Sequence, residues 1–280
     1  MNLKEFVRFT YGLFMGTSTP FLKPAKRYLF PVFRKEVTPD FGLFLGGSGI
    51  CGYLHAQGET VVINTNQGFA AASFRKWVDE QAPQWPITVL LTSLDADFAG
   101  GSVAFSDAKG IFANPANSRQ LGLAVGGFTE RTETVSAEKL LECAGEKIYL
   151  IPVAPVASAT SLVVFLERHS VLFLGPLFFN RIHPILRADA DLSVKRWTEV
   201  VDGLLKRFQP RVIVPAEGDI GSETDVRNFL NYLRDLADPA VEFSYCRKTY
   251  DWPEIPSYTS LEENFDQLRQ NIKTHTTLNS

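Results

Sequence analysis

Residues 92–101, Thr-Ser-Leu-Asp-Ala-Asp-Phe-Ala-Gly-Gly, put the hydroxyl of Ser93 and the carboxylates of Asp95 and Asp97 into one short polar loop. The apolar run 87–91 before it reads as a buried strand, and Gly100-Gly101 lets the backbone turn tightly into the next element. That is the layout of a strand delivering side chains to a site. Carboxylate oxygens with water suit magnesium, calcium or manganese better than zinc. Among the four histidines, His55 falls on a strand, His169 in a turn and His275 in a polar tail. His183, within Asn-Arg-Ile-His-Pro at 180–184, follows an apolar strand and is the one placed to return toward a pocket. A Ser93 nucleophile with His183 as its base is disfavoured, because no Gly-x-Ser-x-Gly turn surrounds the serine. Cys51, Cys143 and Cys246 are odd in number and widely spaced, so they suggest neither a disulfide framework nor a thiolate metal site.

The elements around this loop alternate. The chain has 280 residues, 45% hydrophobic and 21% charged, the balance of a globular protein with material for a full core. Short strand-like runs at 41–45, 50–56 and 59–64 are separated by Gly46-Gly47-Ser48-Gly49 and Gln57-Gly58, which are turn signals. Residues 69–81 form an amphipathic pattern with Phe74, Trp77 and Val78 on one face. Further strands are expected at 110–113, 147–153, 162–165, 170–179 and 211–218. Helices are expected at 115–123, at 194–208, after the Ser222/Asp225 cap, and after the Ser260/Glu263 cap. Strands interleaved with helices predict stacked layers around a sheet core.

Four landmarks, taken in order, carry a resemblance. The loop at 92–101 resembles the Thr-His-x-His-x-Asp-His-x-Gly-Gly signature of the metallo-β-lactamase superfamily. Residues 154–165 resemble its Gly-His-Thr-Pro-Gly loop and strand, 170–179 its strand ending in Gly-Asp, and 211–218 its strand ending in Pro-Gly-His-Gly. Residues 61–66 resemble a strand that ends in Ile-Asp-Thr-Gly, with Asn64 at the aspartate. The resemblance spans 41–236 and implies a four-layer αββα sandwich. It also places the family's metal positions on Ser93, Asp95, Asp97, Phe98, Ala157, Pro176 and Glu217. Only Asp97 keeps the family's residue type. Alanine, phenylalanine and proline offer no donor atom, whereas zinc requires imidazole, thiolate or carboxylate.

The resemblance therefore implies a non-catalytic relative without a metal cofactor, binding a protein or small ligand through the former cleft or an adjacent surface. The alternative is a hydrolase of changed mechanism holding a hard divalent cation such as Mg or Mn on Asp95, Asp97 and Glu217. The expected organisation is a basic, aromatic extension at 1–40 packed on the domain, the αββα domain at 41–250, and a C-terminal helix and tail at 251–280. Net charge is −3, but seven basic residues against Glu5 give positions 1–35 a charge of +6 and leave −9 elsewhere. That segment would suit an anionic membrane surface or an acidic partner, while the acidic body disfavours nucleic acid. A cytoplasmic location, with peripheral membrane contact through residues 1–35, is the accompanying expectation.

Overall fold

The computed structural model describes residues 33–278 apart from 48, 115–117, 126–127, 154–155, 157–159, 185, 187–192 and 253–259. Ala157, most of the N-terminal extension and the tail beyond residue 278 thus lie outside the described residues.

Strands that are apolar on both faces must be covered on both faces. Strands β2 (Phe41–Gly46), β3 (Gly49–Ala56), β4 (Glu59–Ile63), β5 (Ile87–Leu90), β10 (Leu162–Leu166) and β11 (Val171–Asn180) are of this kind, and most of their residues are buried. With β1 (Phe33–Thr38), β6 (Gly110–Ala113) and β7 (Thr132–Thr134), the first four form a seven-stranded sheet in the order β1-β2-β3-β4-β5-β6-β7. Pairing is antiparallel from β1 to β4 and parallel from β4 to β7. The second sheet runs β12-β11-β10-β9-β8, with β8 (Lys139–Cys143), β9 (Glu146–Pro152) and β12 (Val212–Gly218). Only its β11–β12 pair is parallel.

Three apolar clusters make the layers. Phe41, Leu43, Ile50, Leu54 and Leu90 of the first sheet meet Ile148, Leu150, Val164 and Phe173 of the second. On the outer face of the first sheet, Phe44, Tyr53, Val62 and Val89 pack against Phe74, Trp77 and Val78 of helix α1 (Gly68–Gln81). Outside the second sheet, Phe165, Leu172, Leu174 and Ile213 pack on α4 (Val194–Phe208), α5 (Glu223–Ala237) and α7 (Leu261–Leu278), through Trp197, Val201, Phe229, Leu233 and Leu268. The order is helix, sheet, sheet, helix. Ser222 and Asp225 close a full capping box on α5, as their spacing predicts. No helix among the described residues is long and apolar enough to cross a membrane.

Gly52 shows why the two sheets fit. A Cβ built there would lie 2.5 Å from Phe173 Cζ, so the phenylalanine of one sheet occupies the space a side chain would take in the other. The sheet begins at Phe33, before the sequence pattern turns strand-like at Phe41, because β1 is a largely exposed edge strand without an apolar face.

The sheets are also joined by charge, at the end where β11 begins. His169, in the β10–β11 turn, sets Nδ1 2.5 Å from Glu146 Oε2 and Nε2 3.1 Å from Asp40 Oδ1. Asp40 follows β1, whereas Glu146 opens β9, so the imidazole spans both sheets. Arg168 completes the group through Asp40 at 2.5 Å, and its backbone N–H donates to Glu146 Oε1. Two carboxylates facing both ring nitrogens require a doubly protonated, donating ring. Burial opposes that charge, but the hydrogen bonds to Glu146 and Asp40 outweigh it and raise the pKa of His169. Against the effect of burial, hydrogen bonds from Arg168, Thr38 and His169 hold Asp40 below the ordinary carboxylate range, and those from His169 and the Arg168 amide do the same for Glu146.

The signs define a window. The His169 contribution is complete below about pH 6.5 and is lost as pH rises through the higher folded value, while the carboxylate contributions are complete above about pH 4.3 and are lost on acidification. Urea denaturation of His169→Gln against the native chain is expected to show a loss of about 2 kcal/mol at pH 5.5–6. The difference should narrow by pH 9, and an equal loss at both pH values would contradict the charged clamp.

Candidate functional site

The loop singled out in the sequence lies beyond the C-terminal end of β5, beside the end of β4 and the β11–β12 pair. Asn64, just past β4, has φ +61°, a left-handed conformation that asparagine tolerates. Its Nδ2 donates to Ile50 O at 3.1 Å, and its Oδ1 accepts from Thr92 N at 2.9 Å and Thr92 Oγ1 at 2.8 Å. A buried carboxamide thereby donates to a carbonyl and accepts from an amide at once. Thr92 O accepts from Leu162 N at 2.9 Å, which ties the loop to the other sheet.

Ser93 is fully buried. Its Oγ lies 3.2 Å from Thr160 Oγ1 and accepts from Asp95 N at 3.2 Å, while Thr160 Oγ1 also accepts from Leu94 N. The serine braces its own loop and is not presented as a nucleophile. Asp95 is half-buried and precedes the short helix α2 (Ala96–Ala99), whose Phe98 and Ala99 amides donate to the Asp95 carbonyl. Half-buried Asp97 accepts from Gln67 Nε2 at 2.8 Å, so its carboxylate ties α2 to the entrance of α1.

Phe98 turns inward. Its side chain is 6% exposed and belongs to the cluster of Val153, Val156, Leu177, Phe178 and Phe179. Its carbonyl accepts from Thr65 N at 2.7 Å and from Thr65 Oγ1 at 3.2 Å. The glycine pair is required for close approach: Gly101 N donates to Asn66 O at 2.6 Å, and a Cβ on Gly101 would stand 2.4 Å from Thr65 O. Asn66 closes the neighbouring turn through Gly46 O and Gly49 O at 2.7 and 3.0 Å.

On the second sheet, Pro176 is buried where the β11–β12 register shifts, between Gly175 and Phe179. A proline, lacking an N–H, belongs at such an irregularity. Gly175 has φ +52° and packs against Thr92 with no room for a Cβ. Glu217, 4% exposed, pairs with Phe179 in the β11–β12 ladder. Burial pushes the Cys51 thiol far up, and the charge of Glu217 adds to it, although a hydrogen bond to Asn66 pulls the other way.

Ser93 and Glu217 are buried, Phe98 and Pro176 offer no donor, and Asp97 is held by Gln67. Among the described residues, no group of three or more His, Cys, Asp or Glu side chains is placed to hold a metal ion.

His183 packs beneath α5. It is 2% exposed, with Nδ1 3.1 Å from Tyr232 Oη and its ring 5.6 Å from the rings of both Tyr232 and Trp252. Burial pushes its pKa down to about 4, against a hydrogen bond to the Trp252 backbone that pulls it up. It is a neutral core residue under α5.

Beyond this edge lies a cleft of about 530 Å³ at the end of β11, between α5 and α6 (Phe243–Thr249). Asn180, Arg181, Asp225, Asp235, Tyr245 and Trp252 are among the side chains that line it. Sequence reading passed over this cleft because its walls come from three separated segments. The crowding of Tyr245, Tyr250 and Trp252 was the available signal.

Two facing sheets with helices on both outer sides, and a loop-built edge beyond β4, β5, β11 and β12, define a four-layer αββα sandwich. The fold is that of the metallo-β-lactamase superfamily. A metallo-β-lactamase from Pontibacter korlensis superimposes with a TM-score of 0.61 at 18% identity, over 73% of this chain and 99% of that one. DIM-1 metallo-β-lactamase gives 0.59 at 14%, over 74% and 98%. The stereoselective inverting sec-alkylsulfatase Pisa1 from Pseudomonas sp. gives 0.62 at 14%, over 85% of this chain and 50% of that one. No family model matches the sequence, and no curated protein matches it either. At these identities the likeness is one of fold.

Replacing the Asn64 amide by a carboxylate removes the donor to Ile50 O and buries a charge. Asn64→Asp is expected to lower stability by about 1–3 kcal/mol at pH 7 in chemical denaturation, relative to the native chain. The deficit should shrink near pH 4, where the acid is partly protonated and can donate again.

Proposed function

We propose that this chain is a non-catalytic, metal-independent protein of the metallo-β-lactamase fold that binds a partner or small ligand beside its former active-site edge. The observation that carries this reading is Phe98. At a position where the resemblance places a zinc-binding histidine, an aromatic ring is built into the core of the second sheet and its helices. Burying such a side chain stabilises the fold by roughly 1.5–3 kcal/mol, and a ring that serves as core cannot be moved to admit an ion without losing that.

Several neighbours support the same reading. Asn64 is neutral where an aspartate would help carry a metal loop, and its three hydrogen bonds leave the loop self-supporting. Ser93, Thr160 and Gln67 add further ties that require no ion. The relatives in structure are named as a lactamase and a sulfatase, and at 14% identity the likeness to them is one of fold alone.

Protein purified without chelator is expected to carry far less than one equivalent of zinc, manganese or magnesium by elemental analysis. Titration calorimetry with each metal should show no tight site, and hydrolysis of nitrocefin and of a secondary alkyl sulfate should be absent. One equivalent of tightly bound metal that disappears in Asp97→Ala, or chelator-sensitive hydrolysis, would overturn the reading.

A further inference from the structure

The cleft at the end of β11 starts one residue past the strand partner of Glu217, since Phe179 pairs with Glu217 and Asn180 with Gly218. Its volume of about 530 Å³ falls within the roughly 300–1,000 Å³ of small-molecule sites. It combines two kinds of wall. One is aromatic: Tyr245 is 51% exposed, while Tyr250 and Trp252 are held edge to face behind it at 5.3 Å. The other is acidic, with Asp225 in the first turn of α5 and Asp235 about three turns further along it.

Both carboxylates are fixed in place. Asp235 Oδ2 accepts from Tyr250 Oη at 2.6 Å, and Asp225 Oδ2 accepts from Ser222 N at 2.9 Å within the capping box. Among the described residues that line the cleft, Arg181 is the sole cation, its side chain 72% exposed and 3.8 Å from Asp225. Two fixed negative charges against one solvated positive charge disfavour anions and favour a cation. Ring faces beside carboxylates attract a weakly hydrated organic cation more than a compact metal ion.

We propose that this cleft is a binding site for a small organic ammonium compound, its charged head set between Asp235 and the faces of Tyr245 and Trp252. The inference names the ligand class for the binding role proposed above. It can fail alone, because metal content and hydrolysis are read separately from cleft occupancy.

Full-length protein is titrated calorimetrically with choline and with benzyltrimethylammonium at low salt, and with methyl glucoside and inorganic phosphate as neutral and anionic probes. One saturable cation site is expected, weakened about tenfold or more in Tyr245→Ala and in Asp235→Asn, as loss of a desolvated cation–π or carboxylate contact implies. Tyr245 is exposed, so its variant keeps the test decisive if Asp235→Asn fails to fold. No saturable cation binding, binding unchanged in Tyr245→Ala, or preference for the sugar or phosphate probe would each overturn the proposal.

Discussion

The site edge depends on a single buried carboxamide. Asn64 lies where β4 ends and must satisfy both a carbonyl of β3 and the amide and hydroxyl that follow β5. Only a side chain that donates and accepts together can do so without charge, and a buried unpaired charge is far more costly than a missing hydrogen bond. Once these three segments are pinned, Thr92 reaches across to Leu162, Ser93 to Thr160, and Asp97 to Gln67. The loops are then ordered by their own polar groups.

Structural zinc contributes binding energy on the order of 10 kcal/mol in good sites. Here several contributions of about 1 kcal/mol per hydrogen bond, together with the buried ring of Phe98, act on the same loops. Pro176 fits the same pattern. It sits at a point in the ladder where the register shifts and its missing N–H leaves no donor unpaired.

Much of this was legible in the residue pattern. Gly100-Gly101 and the strand before them announced the loop, and the tight approach of Gly101 to Thr65 and Asn66 explains why glycine is needed there. The helical stripes through Trp197 and Phe229 became the outer cluster of the second sheet. Less was legible where a segment has no apolar period. Strands β1, β7 and β8 are short or edge elements whose residues alternate weakly, and the short helix α6 carries only Cys246 as a buried residue. The surroundings of His183 were not legible, because a histidine–proline pair carries no sign of the tyrosine and tryptophan that enclose it. The inter-sheet clamp was missed for a similar reason: Asp40, Glu146 and His169 are remote in sequence, and only the turns bring them together.

The insertion of Phe173 into the vacancy at Gly52 limits how this molecule can move. On the same face of β3, the flanking positions are Ile50 and Leu54, both too bulky to receive a ring. A slide of one sheet over the other by a single pleat would drive Phe173 into one of them, and dense interiors resist such overlap. The two sheets are thus indexed like a key in a lock, and shear between them is closed to this protein as a response to anything it binds. Whatever adjustment accompanies ligand capture must come from the outer helices and their connections, which ride on a rigid double plate.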